Sequence, residues 1–464
     1  MAFRVTFHGG AGAVTGSNFL VEKGEDSKIL IDCGMEQGRD FCARCMYAPF
    51  PYDASRIQAL VITHAHLDHI GRAPKLVREG FKGKAYMTPA TRDLTELMLK
   101  DSVGLLAREA KQHGQEPLYS EQDVQRFFEL VETIEYHEEK TIAPGISIYL
   151  RDTGHILGAA SVRVKDTDDD TSIVFTGDIG NSPNPYLKDA EGVPDADAVI
   201  MEAVYGDRVH EHVDERVPRL RDALKRALDR GGAILMPAFS MERTQLMLYE
   251  ISNLMEAGEL PEFPVFLDSP LAINVTGVYE KWAPEYFNTE AKAETKKEGS
   301  IFRFPFLTMT PTRDDSETIA GEPMPKLIIA GAGMSHGGRI GKWEAKYLPD
   351  PTTTLFIVGY QAPGSPGRLL QDGAPKVKLD GREIKVKATI ENLTSWSAHA
   401  DREGLLAFAK STLPRAKTIF VSIGEPAAQR FLAQRIHDFL GAKAVVPSQG
   451  DVWDISKGGA TKIG

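Results

Sequence analysis

The chain has 464 residues, and its 54 lysine and arginine residues against 65 aspartate and glutamate residues give a net charge of −11. A chain of this length is too long for one ordinary hydrophobic core, which predicts two or three domains, and its composition excludes a largely disordered protein. The acidic balance excludes a protein that coats nucleic acid through a basic surface, although a local basic groove is compatible with it.

Neither a secretion signal nor a membrane segment is visible. The N-terminal stretch alternates like a strand and lacks a basic start followed by a long apolar run, and no stretch approaches the roughly 20 apolar residues of a membrane helix. The three cysteines, Cys33, Cys42 and Cys45, are too few for a disulfide framework and favour a reducing compartment. We therefore expect a cytoplasmic protein without membrane contact.

The first part of the chain, to about residue 206, consists of short β-rich runs separated by glycine, aspartate and proline turns. One helical pattern, from Thr91 to about His113, interrupts them. Such a mixture predicts sheets with helices on their outer faces. The predicted strands are Val5–Phe7, Asn18–Val21, Lys28–Ile31, Ala59–Ile62, Ala85–Met87, Ile146–Leu150, Ser161–Val164, Ser172–Phe175 and Ala198–Met201.

From residue 207 to 377 strands and helices alternate, which predicts a parallel sheet built from right-handed crossovers. The chain then returns to β character. The simplest arrangement is an inserted domain, 207–377, within a domain formed by 1–206 and 378–464. The alternating elements are the helices Arg216–Asp229, Arg243–Glu256, Asn274–Trp282 and Gly338–Lys346 and the strands Ala233–Met236, Val265–Leu267, Leu327–Ala330 and Thr354–Val358.

Four residues of metal-ligand type crowd the end of the predicted strand Ala59–Ile62: His64, His66, Asp68 and His69. Imidazole and carboxylate groups together suit zinc and comparable divalent ions, and a loop at a strand end can bring them together. A histidine-rich surface loop or structural core histidines would be the alternatives. Four such residues within six positions favour a metal site.

Two later residues are further candidate ligands. His155 precedes a predicted strand and Asp178 follows one, and each alone would more often be an ordinary loop residue. Two ions about 3.5–4 Å apart are a common device for hydrolysing phosphoesters, and they need more ligands than the first cluster holds. Together with that cluster, both residues become candidate ligands.

These residues resemble, in order and context, the signature of the metallo-β-lactamase superfamily. The resemblance implies an αββα sandwich with two metal ions bridged by Asp178, and with Asp32, in ILIDCG, supporting the ligands from behind. The superfamily's diiron oxygen reductases usually carry a carboxylate where His66 stands, which favours a hydrolytic role. The implied ligands are His64, His66 and His155 for the first ion, and Asp68 and His69 for the second.

Six further motifs resemble, in order, the β-CASP nucleases of that superfamily, and the resemblance covers nearly the whole chain. It implies an α/β fold, an αββα sandwich with an inserted parallel-sheet β-CASP domain, and a Zn²⁺-dependent ribonuclease, with Mn²⁺ or Mg²⁺ as alternative ions. Its substrate would be single-stranded RNA, cleaved by a metal-activated hydroxide. The motifs are VIMEAVYGD, MPAFSMERTQLMLYEI, VFLDSPLA, LIIAGAGMSHGGRI, IVGYQAPGSPGRLL and SWSAHAD.

The same resemblance assigns roles beyond the metal ligands. His399 would be the general acid that protonates the leaving oxygen, and Glu202 would orient it, although each alone would more often be an ordinary loop or surface residue. The catalytic set is then Asp32, Asp68, Glu202 and His399. The implied substrate-binding residues are Ser240, Arg243, Ser269, Gly337, Gly338 and Arg339.

A glycine-rich loop, Gly331 to Arg339, enters a predicted helix, so its backbone N–H groups and the positive helix end could hold a phosphate. Such a loop alone is more often a tight turn. The pair Cys42 and Cys45 has no second pair with which to form a zinc ribbon, which favours an incidental surface or packing role.

The chain departs from the family at Ile423. RNA-processing members carry a histidine there that completes the second metal's ligands, whereas Artemis-like DNA nucleases carry an apolar residue. We expect one tightly bound ion and a second that binds weakly or only with substrate. The departure keeps DNA open as a substrate.

Alternatives to a ribonuclease are an Artemis-like DNA nuclease, a hydrolase of small esters or lactams, and a non-catalytic nucleic-acid-binding subunit. The inserted domain would narrow the access of small esters to the site, which disfavours the ester or lactam hydrolase. Nearly all residues of the family's catalytic and metal-binding motifs are present, which disfavours the non-catalytic subunit. A homodimer is compatible with the chain's size and acidity.

Overall fold

The computed structural model describes residues 3–36, 46–210, 213–362, 364–379, 381–393 and 396–464, so Cys42 and Cys45 lie outside the described residues. The chain divides into two compact units: Met1–Val209 with His399–Gly464, and His210–Ala398. The second unit extends beyond the predicted boundary at 377 because the strand Thr389–Asn392 pairs in parallel with Thr354–Ile357.

The strands are numbered in chain order. They are β1 Phe3–Gly9, β2 Asn18–Lys23, β3 Ser27–Ile31, β4 Ala59–Val61, β5 Lys84–Met87, β6 Val131–Thr133, β7 Glu139–Ala143, β8 Ile146–Asp152, β9 Ala160–Asp166, β10 Ser172–Phe175, β11 Ala198–Met201, β12 Ala233–Pro237, β13 Val265–Leu267, β14 Leu307–Met309, β15 Lys326–Ala330, β16 Thr354–Ile357, β17 Lys376–Leu379, β18 Arg382–Lys385, β19 Thr389–Asn392, β20 Thr418–Val421, β21 Ala444–Val445, β22 Val452–Ser456 and β23 Gly459–Lys462.

The α-helices follow the same convention. They are α1 Leu67–Ile70, α2 Ala73–Arg78, α3 Pro89–His113, α4 Glu121–Leu130, α5 Val213–Arg230, α6 Arg243–Glu256, α7 Pro270–Tyr286, α8 Thr289–Glu298, α9 Arg313–Thr318, α10 Gly338–Tyr347, α11 Pro366–Gln371, α12 Arg402–Ser411 and α13 Pro426–Leu440.

The first unit contains two sheets whose inner faces pack against each other. One has the strand order β23-β22-β1-β2-β3-β4-β5-β6 and the other β21-β20-β11-β10-β9-β8-β7. Aromatic rings join them: the Phe19 ring lies 5.5 Å from that of Phe175, and the Phe7 ring lies 5.5 Å from that of Phe420. A single hydrophobic cluster therefore fills the space between the sheets.

Helices cover the outer face of each sheet. Successive residues of a strand point to opposite faces, so Ile29 and Ile31 enter the cluster between the sheets while Leu30 enters a second cluster with residues of α2, α3 and α4. The outer side of the other sheet packs against α12 and α13. Burial on both faces explains why these strands are continuously apolar in sequence. The predicted αββα sandwich is confirmed.

The second unit is built around a six-stranded sheet with the order β14-β13-β15-β12-β16-β19, and all its described strand pairs are parallel. The alternation of helix and strand seen in sequence gives this arrangement, because each parallel connection needs a crossover. The prediction of an inserted parallel sheet is confirmed. A small antiparallel pair, β17 and β18, accompanies it.

Several elements of the first unit were not predicted from the sequence, among them α4 and the hairpin of β22 and β23. The helix α4 begins with a reciprocal capping box between Ser120 and Asp123. The hairpin of β22 and β23 joins the first sheet through antiparallel pairing of Phe3 with Ile455 and of Val5 with Trp453. Among the described helices, none combines the length and the apolar composition that crossing a membrane requires.

Glu250, on α6, provides a test of the packing of the second unit. Its side chain is buried, and burial raises its pKa to about 7, a shift that the Arg216 guanidinium opposes. A glutamate in an unfolded chain ionises near pH 4.3, so the folded protein holds an extra proton between roughly pH 4.3 and 7. The protein therefore loses stability as the pH rises through that window.

We expect Glu250→Gln to be more stable than the parent at about pH 8 by roughly 2–3 kcal/mol, and the difference to disappear near pH 5. Unfolding in urea at both pH values measures this difference. Glu262→Gln, at an exposed position of the same unit, serves as the control. A gain for Glu250→Gln of equal size at both pH values would contradict the expectation.

Candidate metal centre and acid pair

The candidate site is assembled from the ends of strands in both sheets of the first unit. His64 follows β4, and the short helix α1 begins at once and carries Asp68 and His69. His155 lies in the turn before β9, and Asp178 follows β10. Loops at strand ends let these side chains converge without distorting the sheets.

Three histidines and one carboxylate form the tighter part of this site. Nε2 of His64 and Nε2 of His155 lie 3.1 Å and 3.2 Å from Nδ1 of His66. Oδ2 of Asp178 lies 3.3 Å from Nε2 of His64 and 3.4 Å from Nε2 of His155. One ligand atom from each residue lies within 4.8 Å of the others, a spacing that one metal ion can span. The site could therefore hold a divalent ion with nitrogen and oxygen ligands.

The protonation of these histidines suits metal binding. Burial, with the neighbouring His64, lowers the pKa of His66, and burial, with the neighbouring His399, lowers that of His155. Both imidazoles are therefore neutral near pH 7, which is the form that donates a lone pair to a metal.

The second predicted ion would be held by Asp68, His69 and Asp178. Nε2 of His69 and Oδ1 of Asp178 lie 3.4 Å apart, and both atoms are buried without a hydrogen-bond partner among the described residues. Oδ2 of Asp68 lies 3.9 Å from the same nitrogen. Buried polar atoms are normally satisfied, so this pair fits a cation between them.

Asp32 contacts the candidate ligand His69 on the side of the ring that faces away from the site. It adopts a left-handed backbone conformation with φ 58°, and its carboxylate lies 2.7 Å from Nδ1 of His69. Ser17 donates to it from its hydroxyl group, and Thr63 donates to it from its backbone N–H. The Thr63 hydroxyl also lies 3.0 Å from Nδ1 of His64. These contacts direct the Nε2 atoms of both histidines into the site.

Ser17 and Thr63 were missed in the sequence. Thr63 directly precedes His64 in ITHAHLDH, and this adjacency was the available signal. Ser17 gave none, because it is brought to Asp32 only by the antiparallel pairing of β2 with β3.

Glu202 and His399 form a second group beside the histidine cluster. Oε1 of Glu202 lies 3.2 Å from Nδ1 of His399 and accepts the N–H of Ile179 at 2.6 Å. Although burial opposes it, the charges of Glu202 and Asp178 raise the pKa of His399 to about 9. This shift favours the protonated form of the imidazole near pH 7. The His399 side chain is 23% exposed, and its Nδ1 lies 3.9 Å from Oδ2 of Asp178.

The predicted substrate-binding residues lie in the second unit, and three of their motifs meet there. A Cβ built on Gly331 would lie 3.6 Å from both the Ser240 and the Ser269 hydroxyl oxygens. Ser269 also caps α7, accepting the N–H of Ala272 at 3.3 Å. The structure thus brings the two serines to the start of the glycine-rich loop.

The glycines of that loop are required by its geometry. Gly337 and Gly338 have φ values of 81° and 68°, which only glycine adopts without cost. A Cβ on Gly338 would lie 2.3 Å from the Gly331 carbonyl oxygen. Backbone packing alone therefore accounts for Gly338.

The two predicted arginines make hydrogen bonds within the second unit. Nη1 of Arg339 donates to Asp268 and to the Thr310 carbonyl, and Nη2 donates to the Pro311 carbonyl. Arg243 is buried and donates to the Val358 carbonyl. These contacts hold the loops of the unit together.

Ile423, where the family pattern has a ligand, packs in the hydrophobic cluster between the sheets and is 3% exposed. Its φ of 42° is strained for a β-branched residue. Its N–H donates to the Gly10 carbonyl at 2.6 Å, and its carbonyl accepts the N–H of Ala203, the neighbour of Glu202. The backbone thus holds position 423 beside the acid pair although its side chain is apolar.

Three family models match the chain. Residues 11–238 match the metallo-beta-lactamase superfamily, residues 244–370 match the Beta-Casp domain, and residues 383–447 match the Zn-dependent metallo-hydrolase RNA specificity domain. Together they span most of the chain in the order that the motifs predict.

Named relatives match nearly the whole chain. It is 34% identical to Ribonuclease TTHA0252 of Thermus thermophilus, over 87% of this chain and 90% of the relative. It is 32% identical to Transcription termination factor FttA of Methanosarcina mazei, over 94% of this chain and 69% of the relative. A solved structure of a protein of unknown function from Enterococcus faecalis matches 97% of this chain and 99% of its own, with a TM-score of 0.58 and 13% identity, which shows a shared fold.

The hydrogen bonds of Asp32 generate a prediction about metal binding. Asparagine tolerates φ 58° nearly as well as aspartate, so Asp32→Asn removes the charge behind His69 without adding backbone strain. We expect the affinity for Zn²⁺ to fall about 10–100-fold. Competition with a chromogenic chelator measures this affinity. Thr63→Ser, which keeps the hydroxyl group, should retain it, and an Asp32→Asn protein with parental affinity would refute the assigned role.

Proposed function

We propose that this chain, which belongs to the β-CASP branch of the metallo-β-lactamase superfamily, is a metal-dependent ribonuclease that hydrolyses phosphodiester bonds in single-stranded RNA. The observation that carries the proposal is the position of Asp178, whose Oδ2 lies within 3.4 Å of two candidate ligand histidines and 3.9 Å from the imidazole of His399. A metal cluster and a proton donor beside it are the two components that phosphodiester hydrolysis needs.

The candidate ligands suit zinc. Three imidazoles and a carboxylate form a ligand set that binds zinc in preference to magnesium, because magnesium favours oxygen ligands throughout. A bound ion would supply Lewis-acid chemistry at the phosphoryl oxygen and a water nucleophile that is reactive near neutral pH. The residues that would hold it are His64, His66, His155 and Asp178, with Asp68 and His69 on the side of a second ion.

His399 would protonate the leaving oxygen of the cleaved strand. Its imidazole carries the proton before the reaction, and it is partly exposed, so substrate can reach it. Glu202, which is fully buried, fixes the ring through Nδ1 and thereby directs Nε2 away from the carboxylate. Glu202 is thus a positioning residue and His399 the catalytic acid.

The named relatives support RNA as the substrate. One is a ribonuclease and another a transcription termination factor, and residues 383–447 match a model described as an RNA specificity domain. The sequence-based expectation of a cytoplasmic location fits a protein that acts on RNA.

We expect Ile423 to make the two metal sites unequal. An isoleucine cannot ligate a metal, and its side chain packs in the core, so one ligand of the second ion is missing relative to the family pattern. The first ion, with three histidines and Asp178, would bind tightly and the second more weakly. Zn²⁺ analysis that finds two equally tight ions would overturn this expectation.

The nuclease activity is tested with labelled single-stranded RNA and DNA of the same sequence. We expect metal-dependent cleavage of RNA, lost on chelation and restored by Zn²⁺ or Mn²⁺. His399→Ala should lower kcat about 10²–10⁴-fold, the usual contribution of a general acid, and Asp68→Ala should lower it as well. A chromogenic lactam serves as the negative-control substrate, and variants that cut RNA as fast as the parent would contradict the mechanism.

Position 423 gives a test of the second ion. We expect Ile423→His to raise the affinity for a second Zn²⁺, because it restores an imidazole at a backbone position next to the acid pair. Ile423→Asn is the matched control, since asparagine relieves the strain of a positive φ without an imidazole. Calorimetric titration of both variants with Zn²⁺ distinguishes them, and a rise shared by the two would show that relief of strain, not ligation, is responsible.

A further inference from the structure

We propose that a groove between α12 and α13, on the outer face of the first unit, binds a segment of single-stranded RNA that flanks the cleaved bond. The groove has a volume of about 440 Å³, and its walls include Arg402, Leu406, Lys410, Arg435 and Phe439. We call it the α12–α13 groove. The proposal rests on the ribonuclease function proposed above.

The groove is formed by two stripes of side chains. On α12, Arg402, Leu406 and Lys410 are spaced four residues apart. On α13 the same spacing relates Phe431, Arg435 and Phe439. Residues four apart lie on one face of a helix, so each helix carries one continuous line of basic and apolar groups. The stripe on α13 alternates aromatic, cationic and aromatic groups.

Cations lie against both phenylalanine rings. The guanidinium carbon of Arg402 is 5.9 Å from the centre of the Phe431 ring, and that of Arg435 is 4.9 Å from it. Arg435 also lies 5.3 Å from the centre of the Phe439 ring, which is 65% exposed. A large exposed ring held beside an arginine presents a flat surface on which a nucleobase can stack.

The charges of the groove complement a phosphate backbone. Arg402 forms an ion pair with Glu403, but within the part of the chain that the structure describes neither Lys410 nor Arg435 forms one. Glu403 also lines the groove, and the charge of Arg435 acts on the nearby Asp438. In a protein with a net charge of −11, two cations without a direct ion pair among the described residues, beside an exposed aromatic ring, are a distinct local feature. They would contact phosphates while a base stacks on Phe439.

The groove is connected to the candidate active site. The helix α12 begins three residues after His399, and the N–H of Arg402 donates to the carbonyl of Arg208 at 3.0 Å. The Arg208 guanidinium lies 5.7 Å from the centre of the Tyr205 ring, and that ring lies 6.1 Å from the ring of His399. Basic and aromatic groups thus lead from the proton donor to the groove, and both helices fall within the matched RNA specificity segment.

Stacking on an exposed ring requires an unpaired base, so the ligand is a single strand, and the proposed ribonuclease function makes that strand RNA. Binding of a phosphorothioate single-stranded RNA of about 20 nucleotides, which resists hydrolysis, is measured by fluorescence anisotropy with the metal-loaded protein. We expect Phe439→Leu to weaken binding about tenfold, the effect of losing one stacked base, and Phe439→Trp to retain it. A purely apolar contact would tolerate leucine.

The cations are tested by Lys410→Ala combined with Arg435→Ala. We expect weaker binding and a dependence on salt that is shallower by roughly 1.4 in the log–log slope, because two phosphate contacts are lost. The exposed residues Leu105 and Lys457 provide the controls Leu105→Ala and Lys457→Ala, which should leave the affinity unchanged.

Unchanged RNA affinity in Phe439→Leu and in the double variant would overturn the proposal. So would an unchanged affinity accompanied by loss of self-association, which would show that a second copy of the chain covers the groove. Groove-dependent binding of RNA that the parent then fails to cleave would contradict the ribonuclease function and leave the groove in place. Cleavage with groove-independent binding would contradict the groove alone.

Discussion

The buried carboxylate of Asp178 is the group on which the rest of the site depends. It follows β10 of one sheet, whereas His64 and His69 follow β4 of the other, and it lies within 3.4 Å of both histidines. A buried carboxylate is costly unless cations or donors surround it. Although burial opposes it, His69 and His64 hold the pKa of Asp178 well below its usual range, so the charge persists and attracts a metal.

Because the candidate ligands come from both sheets, their relative positions depend on the distance between the two sheets. Sheets that pack face to face lie about 10 Å apart, and that separation is set by the side chains between them. Here the packing of Phe19 on Phe175 and of Phe7 on Phe420 sets it. A cavity in this cluster would therefore displace candidate metal ligands that do not line the cavity. The same cluster contains Ile423, so the residue that stands at the family's ligand position is here part of the hydrophobic core.

The sequence predicted much of the fold because its strands are apolar and its helices amphipathic. Most strands of the two sheets and of the parallel sheet in the second unit were predicted from these patterns, and so was the crowding of His64, His66, Asp68 and His69 after β4. It missed α4, whose capping box has Asp123 in place of the usual glutamate, and β22, which becomes a strand only through pairing with β1. The hydrogen bonds of Arg339 within its own unit depend on loops distant in sequence, and residue type alone does not reveal them.

The separation of Glu202 and His399 by 197 positions determines when each residue is added as the ribosome synthesises the chain. The candidate metal ligands, of which Asp178 is the last in sequence, are translated early, whereas His399 emerges only after the inserted unit. At about 5–20 residues per second, that interval lasts roughly 10–40 s. During this time the chain has the candidate metal ligands but not His399, the proposed proton donor. With His399 as the proposed general acid, this order would delay any cleavage of the messenger from which the protein is being made.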